Sequence, residues 1–304
     1  MKVLVTGASG FIGKNLINIL DPDDYEIHAI YNQNKPINDL KKITWHQVDL
    51  FKDEEVKEVM KVIKPTHIIH LAWYAEHGKF WNSDKNIGWV DATLKLFKEF
   101  KKFNGKKFIV SGTKAEYFDG EFFEEHLNSE FECLEEMEPN PDTLYGKSKN
   151  LLHKNLKDLD KENKSLVWAR IFDTYGPHEN EKKFCSYVIK SAQDNQVISC
   201  NNPLLEMDFL HVKDIATAFK VILLNNFIGT INISSGESIS LKDISEYILK
   251  KLKKEELLEL NYHSKDHRKI FGNNNMLKSI GWSAEYEIES GLDNLINFYY
   301  IRNE

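Results

Sequence analysis

The amino-terminal residues combine an apolar run, a glycine-rich turn and a segment with helical periodicity. Residues 2–6 form a mostly apolar, β-branched run, which predicts a buried strand. Apolar residues then recur at the spacing of one helix face, at Ile12, Leu16, Ile17 and Leu20. Three glycines join the two elements with GxxGxxG spacing: Gly7, Gly10 and Gly13. Exposed amide groups at such a helix N-terminus can hold a pyrophosphate, whereas the alternative is a structural turn that binds nothing.

Strand and helix patterns alternate along the rest of the chain. Strands are predicted at 25–31, 43–48, 67–72, 107–110, 166–171 and 230–233. Helices are predicted at 56–63, 86–103, 145–156, 186–192, 212–224, 241–252 and 288–301, and an irregular segment at 121–141. This alternation is typical of a parallel sheet with right-handed crossovers. We predict an α/β fold: a Rossmann-type doubly wound parallel sheet with a smaller C-terminal substrate-binding lobe.

The regular alternation ends near residue 173, which suggests two domains. We expect residues 1–173, with a returning segment at about 208–235, to form a dinucleotide-binding domain. Residues 174–207 and 236–304 are expected to form the smaller lobe.

Composition restricts the classes of partner. The chain has 304 residues, of which 41% are apolar and 29% charged, so it can bury a core and stay soluble. The net charge is -7 and the lysines are scattered among acids, which argues against nucleic acid or an anionic membrane as the main partner. Cys133, Cys185 and Cys200 are widely separated, so we expect neither disulfides nor a metal site. With no apolar leader and no run of about 18 apolar residues, we expect a cytoplasmic protein.

The end of the second predicted strand bears on the choice of dinucleotide. An acid at this position would bind the ribose hydroxyls of NAD, whereas its absence leaves room for the 2′-phosphate of NADP. This chain has Tyr31, Asn32 and, after two further polar residues, Lys35. A tyrosine does not repel a phosphate and a lysine attracts one, so NADP(H) is favoured over NAD(H). The alternative is a solvated loop.

Two further segments carry candidate chemistry. Tyr145 and Lys149 stand four residues apart on one predicted helix face, and a nearby ammonium would lower the pKa of the phenol and make it a proton relay. Thr113, directly after the fifth strand, could hydrogen-bond a substrate carbonyl oxygen. The alternatives are a surface pair for Tyr145 and Lys149 and a turn-capping hydroxyl for Thr113. The aromatic loop at 73–81 is expected either to contact substrate or to cover the edge of the core.

Together the glycine turn, Thr113 and the Tyr145–Lys149 pair resemble the extended short-chain dehydrogenase/reductase family, which includes nucleotide-sugar epimerases, dehydratases and reductases. The resemblance covers nearly the whole chain. Further segments similar to landmarks of that family are 67–72, Asn86, Arg170, 175–177, 208–214, 235–237, 281–282 and 291–292.

The resemblance implies roles for individual residues. Tyr145 would be the acid/base, Lys149 would hold the nicotinamide ribose, and Thr113 would orient the substrate oxygen. Cofactor contacts are expected at Gly7, Ser9, Gly10, Phe11, Ile12, Gly13, Tyr31, Asn32, Lys35, Asp49, Leu50, Leu71, Ala72, Trp73, Asn86, Tyr145 and Lys149. Substrate contacts are expected at Trp73, Tyr74, Thr113, Glu116, Arg170, Phe172, His178 and Arg268.

Departures from the family pattern narrow the expected reaction. Lys114 and Ala115 stand where the 4,6-dehydratases have Asp and Glu, so water elimination lacks its acid/base pair. Ala115 and Tyr187 stand where the GDP-fucose synthases have the cysteine and histidine that epimerise, and Met207 replaces a usual arginine. His178 is the nearest alternative base by sequence, but epimerisation needs a second acid/base group on the other face of the sugar, and the sequence offers none; contact with solvent or a substrate phosphate is the expected role.

The reaction that remains is NADPH-dependent reduction of the 4-keto group of a nucleotide-diphospho-deoxysugar, for surface-polysaccharide sugar biosynthesis. In this the chain resembles the CDP-paratose and CDP-abequose synthases. The alternatives are an NAD-dependent nucleotide-sugar 4-epimerase and, in another class, a non-catalytic cofactor-binding regulator. The helices from Asn86 and Tyr145 carry apolar residues beyond one face, and we expect a homodimer through them, as the resemblance implies.

Overall fold

The computed structural model describes residues 1–21, 23–33, 42–118, 129–162, 164–262 and 267–301. The strands are β1 (Lys2–Thr6), β2 (Glu26–Tyr31), β3 (Ile43–Gln47), β4 (His67–His70), β5 (Lys107–Thr113), β6 (Glu130–Cys133), β7 (Leu166–Ile171), β8 (Asp173–Tyr175), β9 (Ile198–Cys200), β10 (Glu206–Met207), β11 (Phe209–His211), β12 (Gly229–Ile233), β13 (Ile239–Ser240), β14 (Leu258–Leu260) and β15 (Lys269–Gly272). The α-helices are α1 (Phe11–Ile19), α2 (Asp53–Ile63), α3 (Lys85–Lys102), α4 (Leu144–Leu159), α5 (Phe184–Gln193), α6 (Val212–Leu224), α7 (Leu241–Leu252), α8 (Asn275–Ser279) and α9 (Ile288–Ile301).

A seven-stranded parallel sheet organises the molecule in the order β12-β7-β5-β4-β1-β2-β3. The predicted α/β class and Rossmann-type sheet are confirmed. The chain winds outward from β1 in both directions, through β2 to β3 and through β4 to β12. The carboxyl ends of β1 and β4 therefore flank the point where the strand order reverses, which is where such sheets bind ligands.

Apolar helix faces cover both sides of this sheet. On one side α1 and α6 bury Leu16 and Phe219 against the strands. On the other side α2, α3 and α4 form a second cluster, in which Phe97, Phe100 and Leu152 are completely buried. Fully burying such a side chain contributes about 1.5–3 kcal/mol relative to leaving it exposed. A third cluster joins α5, α7 and α9 in the C-terminal part of the chain.

Three predicted boundaries were wrong. β4 ends at His70, so Leu71 and Ala72 follow the strand instead of closing it. β5 continues to Thr113, so its hydroxyl belongs to the strand's last residue. β6 lies within the segment predicted to be irregular, the rest of which, at 119–128, lies outside the described residues. Local sequence patterns do not reveal β6, because this short strand is stabilised by pairing with β15, which is distant in sequence.

A four-stranded sheet in the order β13-β10-β15-β6 lies beside the large one. It takes strands from both sides of residue 173, whereas β12 returns to the large sheet within the segment predicted to do so. Among the residues that the structure describes, no helix combines the length and apolar character needed to cross a bilayer.

Candidate active site

The glycine turn between β1 and α1 has the shape that a close phosphate contact requires. Gly7 has φ +67°, and a Cβ there would lie 2.7 Å from the Ala72 nitrogen. A Cβ on Gly13 would lie 2.2 Å from the Gly7 carbonyl oxygen. The turn therefore packs closely against the segment after β4 because residue 7 is glycine, and against α1 because residue 13 is glycine. Gly10 is the exposed N-cap of α1 and brings no side chain over the helix N-terminus. The open amide groups fit a dinucleotide pyrophosphate.

The remaining predicted cofactor residues line the carboxyl edge of β1 to β4. They are Ser9, Phe11 and Ile12 on the turn, Tyr31 and Asn32 at the end of β2, Asp49 and Leu50 after β3, and Leu71, Ala72 and Trp73 after β4. Leu50 is buried in the core, Asn32 is exposed, and the rest are partly buried. Lys35, which was also predicted to contact the cofactor, lies outside the described residues.

Tyr145 and Thr113 meet at the end of β5. Tyr145 lies in the first turn of α4, whose N-cap Thr143 accepts a hydrogen bond from the Gly146 amide at 3.2 Å. The Thr113 side chain lies close enough to the Tyr145 phenol to lower its pKa. The Ser111 hydroxyl instead donates to the His70 carbonyl oxygen at 3.3 Å.

The acidity of Tyr145 differs from the expectation. Burial raises the pKa of its phenol to about 12, the Thr113 side chain opposes the rise, and the charge of Glu116 adds to it. We expected Lys149 to lower the pKa of Tyr145, but its ammonium contacts Ser111 and Trp73 and does not contribute to the shift. In this state Tyr145 is a protonated phenol near neutral pH, able to donate a proton.

Lys149 is almost fully buried on the next turn of α4. Its Nζ donates to the Ser111 carbonyl oxygen at 2.6 Å and lies 3.8 Å above the centre of the Trp73 ring. Burial lowers the pKa of Lys149 to about 7, and the negative charge of Glu116 opposes this shift. An ammonium has three donors, so after the Ser111 contact it keeps donors for a ribose hydroxyl.

The aromatic loop at 73–81 encloses the Tyr145 ring. Phe80 and Trp81 stand edge-on to it, with centroids at 4.9 Å and 5.9 Å, and Trp73 lies at 6.5 Å. The Trp81 carbonyl also accepts the Tyr145 backbone N–H at 2.9 Å. The loop therefore contacts the candidate catalytic residue directly.

Asn86 holds this loop in place, and its location differs from the predicted cofactor contact. Its Nδ2 donates to the carbonyl oxygens of Phe80 at 2.7 Å and Ser83 at 2.9 Å. Its Oδ1 accepts from Trp73 Nε1 at 2.8 Å, and the residue is completely buried. Because both amide hydrogens are used inside the protein, we correct its role to positioning the loop.

Glu116 and Arg170 also differ from their predicted substrate contacts. Glu116 is completely buried and Arg170 is 2% exposed, and Arg170 Nε donates to Glu116 Oε2 at 3.2 Å. Burial raises the pKa of Glu116, and the charge of Arg170 opposes the rise. Phe172 is buried beside Tyr117 in a small apolar cluster. Such complete burial removes all three from substrate contact in this conformation.

The other predicted substrate residues lie farther apart along the fold. Tyr74 is partly buried, donates to Glu76 at 2.9 Å and lies under the Lys85 ammonium at 4.5 Å. His178 is exposed, with φ +73° and its ring centre 4.6 Å from that of Phe298 on α9. Arg268 is partly buried beside β15, and its carbonyl oxygen accepts the Glu206 N–H at 2.8 Å.

The positions that depart from the family pattern carry other contacts here. Lys114 forms an ion pair with Asp173, and Ala115 is buried. Tyr187 packs against the α5–α7–α9 core, and Met207 pairs with Ile239 in the small sheet.

Sequence reasoning overlooked a buried polar chain beside the site. His70 is 1% exposed and is linked to Thr6 at 2.7 Å and to Thr93 at 2.9 Å. Burial lowers the pKa of His70 to about 3, so the ring is neutral. A histidine closing an otherwise apolar strand was the available signal. No group of three or more metal-ligating side chains is found in the described part of the chain.

Comparison with known proteins agrees with this geometry. A family model described as the NAD dependent epimerase/dehydratase family matches residues 3–234. The chain is 24% identical over 314 residues to a CDP-abequose synthase of Salmonella muenchen, covering 97% of each. It is 25% identical over 311 residues to a dTDP-4-dehydro-6-deoxyglucose reductase of Escherichia coli, covering 97% of this chain and 96% of that one.

Solved structures share the fold. A dTDP-glucose 4,6-dehydratase from Bacillus anthracis, crystallised in complex with NAD, superposes with a TM-score of 0.83 at 24% identity. The match covers 100% of this chain and 97% of that one. With the family model matching most of the chain and the glycine turn, Thr113, Tyr145 and Lys149 assembled at one sheet edge, this protein belongs to the NAD dependent epimerase/dehydratase family.

Proposed function

We propose that this protein is an NADPH-dependent reductase that acts on the 4-keto group of a nucleotide-diphospho-deoxysugar, with Tyr145 as the proton donor. The observation that carries the proposal is that Thr113, the last residue of β5, lies beside Tyr145 in the first turn of α4, where the phenol is protonated near neutral pH. A protonated phenol is the form that reduction of a ketone consumes.

The residues present divide the work of such a reaction. The glycine turn would hold the dinucleotide pyrophosphate, and Lys149 has donors left for the nicotinamide ribose. The cofactor, when bound, supplies a hydride to the keto carbon. Thr113 donates a hydrogen bond to the keto oxygen, and Tyr145 transfers its proton to that oxygen as charge develops there.

The curated relatives and the sequence departures support reduction over elimination. The relatives at 24% and 25% identity are named as a CDP-abequose synthase and as a 4-dehydro-deoxysugar reductase. Lys114 is paired with Asp173 and Ala115 is an apolar buried residue, so neither supplies the acid/base pair of a dehydratase.

The preference for NADP(H) rests on the end of β2. Tyr31 ends the strand and Asn32 follows it, and neither is an acid, so no carboxylate of these two residues repels a 2′-phosphate there. Both are partly or fully exposed at the edge where the ribose would lie.

An NAD-dependent 4-epimerase is the second candidate, because a relative 26% identical over 317 residues is named as a UDP-glucuronate 4-epimerase. An epimerase oxidises and re-reduces the same carbon, so it keeps its cofactor bound, whereas a reductase exchanges it each turnover. A non-catalytic cofactor-binding regulator is the third candidate, but it has no need for the Thr113–Tyr145 contact.

The test is to mix the purified protein with NADPH and a panel of CDP-, dTDP-, GDP- and UDP-linked 4-keto-6-deoxysugars in deuterated water. We expect NADPH oxidation with one of them and no stable deuterium at carbon 3 or 5 of the product, relative to a control without enzyme. Protein that purifies with tightly bound NAD and interconverts 4-hydroxy epimers would replace the proposal with the epimerase. Cofactor binding without turnover of any sugar would favour the regulator.

A further inference from the structure

The Glu116 carboxylate is completely buried next to the end of β5 and is surrounded by hydrogen-bond donors. It accepts the Thr113 backbone N–H at 2.8 Å, Trp168 Nε1–H at 2.9 Å and Arg170 Nε–H at 3.2 Å. Because every partner donates, the contacts fit the ionised form of the carboxylate.

The first of these contacts constrains Thr113. The short 3₁₀ turn Lys114–Glu116 follows β5 directly, and Thr113 and Glu116 cap it reciprocally. The Thr113 hydroxyl accepts the Ala115 N–H at 3.3 Å while Glu116 holds the Thr113 N–H. Such a pair of contacts restricts both the backbone and the side chain of the capping residue.

The second contact reaches α4. Trp168 stacks on His153 with ring centres 4.7 Å apart and an interplanar angle of 6°. His153 lies four residues after Lys149, so both belong to the same face of α4. Glu116 therefore links the end of β5, which carries Thr113, to the helix that carries Lys149.

The third contact anchors the network on β7. The Arg170 guanidinium lies 4.4 Å above the Tyr117 ring, and its Nη1 donates to the Glu135 carbonyl oxygen at 3.2 Å. Tyr117 in turn donates to Asn232 at 2.7 Å. Glu116 thus accepts a hydrogen bond from an arginine whose position is also fixed by Tyr117 and Glu135.

The charge of Glu116 also acts on Lys149. Burial alone would favour a neutral amine, and the Glu116 charge opposes that tendency. Burial lowers the pKa values of the neighbouring His70 and His153 to about 3, so both rings stay neutral near neutral pH. Arg170, the other charge facing Glu116, is positive at all accessible pH values.

We propose that Glu116 is a positioning residue for the reaction: its carboxylate orients Thr113 toward the substrate oxygen and, through Trp168 and His153, adjoins the face of α4 that carries Lys149, on which its negative charge acts. The inference rests on the proposed roles of Thr113 and Lys149. A purely structural ion pair with Arg170 would support folding but would leave the pH dependence of the reaction unchanged.

The decisive variant is Glu116→Gln, which keeps the shape but turns one acceptor oxygen into an amide donor facing other donors. We expect kcat for keto reduction to fall at least about tenfold, with the KM for NADPH little changed. Activity needs the Lys149 ammonium, whose pKa of about 7 lies well below the Tyr145 pKa of about 12, so the alkaline limb follows Lys149 although Glu116 acts on both groups. This limb should move to lower pH by about one unit. A limb that does not move would overturn the proposal and leave a structural ion pair.

Asp160→Asn is the matched control, because Asp160 is an equally buried acid paired with Lys101 at the far end of α4. It is expected to lower stability without moving the alkaline limb. If Glu116→Gln does not fold, Trp168→Phe removes one donor to Glu116 and keeps a ring against His153. Because Trp168→Phe leaves the Glu116 charge in place, the alkaline limb should not move. A loss of kcat smaller than that expected for Glu116→Gln, with the KM for NADPH unchanged, supports the proposal, and an unchanged kcat overturns it.

A readout without turnover separates this inference from the proposed reaction. The pKa of Lys149 can be measured by NMR of isotope-labelled lysine, with the signal assigned by its loss in Lys149→Arg. Glu116→Gln is expected to lower that pKa, and an unchanged value overturns the proposal. If the wild-type protein reduces no keto sugar, the proposed function fails while this measurement still decides the role of Glu116.

Discussion

Replacing Tyr145 by phenylalanine tests the assignment of the proton donor. The ring would keep its edge contacts with Phe80, Trp81 and Trp73, and only the hydroxyl and its contact with Thr113 would be lost. A typical hydrogen bond contributes about 0.5–1.5 kcal/mol net, and the variant no longer buries a hydroxyl. We therefore expect the free energy of unfolding to change by less than about 1.5 kcal/mol.

The effect of the same change on turnover should be far larger. General acid–base catalysis contributes about 10²–10⁴-fold, which corresponds to about 2.7–5.4 kcal/mol of transition-state stabilisation. We expect kcat to fall by that factor while NADPH affinity stays within about threefold, because the hydroxyl adds one hydrogen bond at most to cofactor binding.

The assay follows NADPH absorbance under saturating keto sugar, with cofactor affinity from fluorescence titration and stability from urea unfolding. Tyr300→Phe, at an exposed tyrosine on α9, is the matched control and should retain full activity. If Tyr145→Phe kept more than about a tenth of the activity, against the usual contribution of a general acid, another group would be the donor.

Three further predictions concern cofactor choice, assembly and pH. NADPH should bind more tightly than NADH. The variant Asn32→Asp should bind NADPH at least about tenfold more weakly because it places an acid against the 2′-phosphate, whereas Asn32→Ala should keep the wild-type affinity. Equal affinities of the wild-type protein for both cofactors would contradict this prediction. The protein should be a homodimer through α3 and α4, where the apolar side chains of Ile87 and Leu151 are 58% and 53% exposed. Light scattering should therefore give the mass of a monomer for Leu151→Glu and of a dimer for the control Leu224→Glu on α6. A monomeric wild-type protein would refute this prediction. Because burial depresses the pKa of His153 to about 3 from 6.5, its contribution to stability is present above pH 6.5 and is lost as pH falls, by about 1.4 kcal/mol per unit. The slope of stability against pH between about 6 and 4 should therefore be shallower in His153→Phe than in the wild type, and identical slopes in urea unfolding would be inconsistent with a neutral buried ring.

Local sequence patterns determined the elements of the large sheet, and the family resemblance pointed to Thr113, Tyr145 and Lys149 as the central residues. The strand at 2–6, the glycine spacing and the helical face shared by Tyr145 and Lys149 depend on contacts close in sequence, which periodicity and steric requirements reveal. The position of Thr113 at the carboxyl edge of the sheet also followed, because parallel strands bring their carboxyl ends to one edge.

Tertiary structure alone decided which polar groups are buried and what they contact. Glu116 is a residue type that often binds ligands. Here Trp168 and Arg170, on a strand about fifty residues later in the chain, donate hydrogen bonds to its carboxylate and bury it. The side chain of Asn86 likewise donates both amide hydrogens to carbonyl oxygens near the aromatic loop, which only the folded structure reveals. Lys149 points at Ser111 and Trp73, and burial raises the pKa of Tyr145, because the acidity of a group depends on solvent exclusion and on charges that long-range packing brings near.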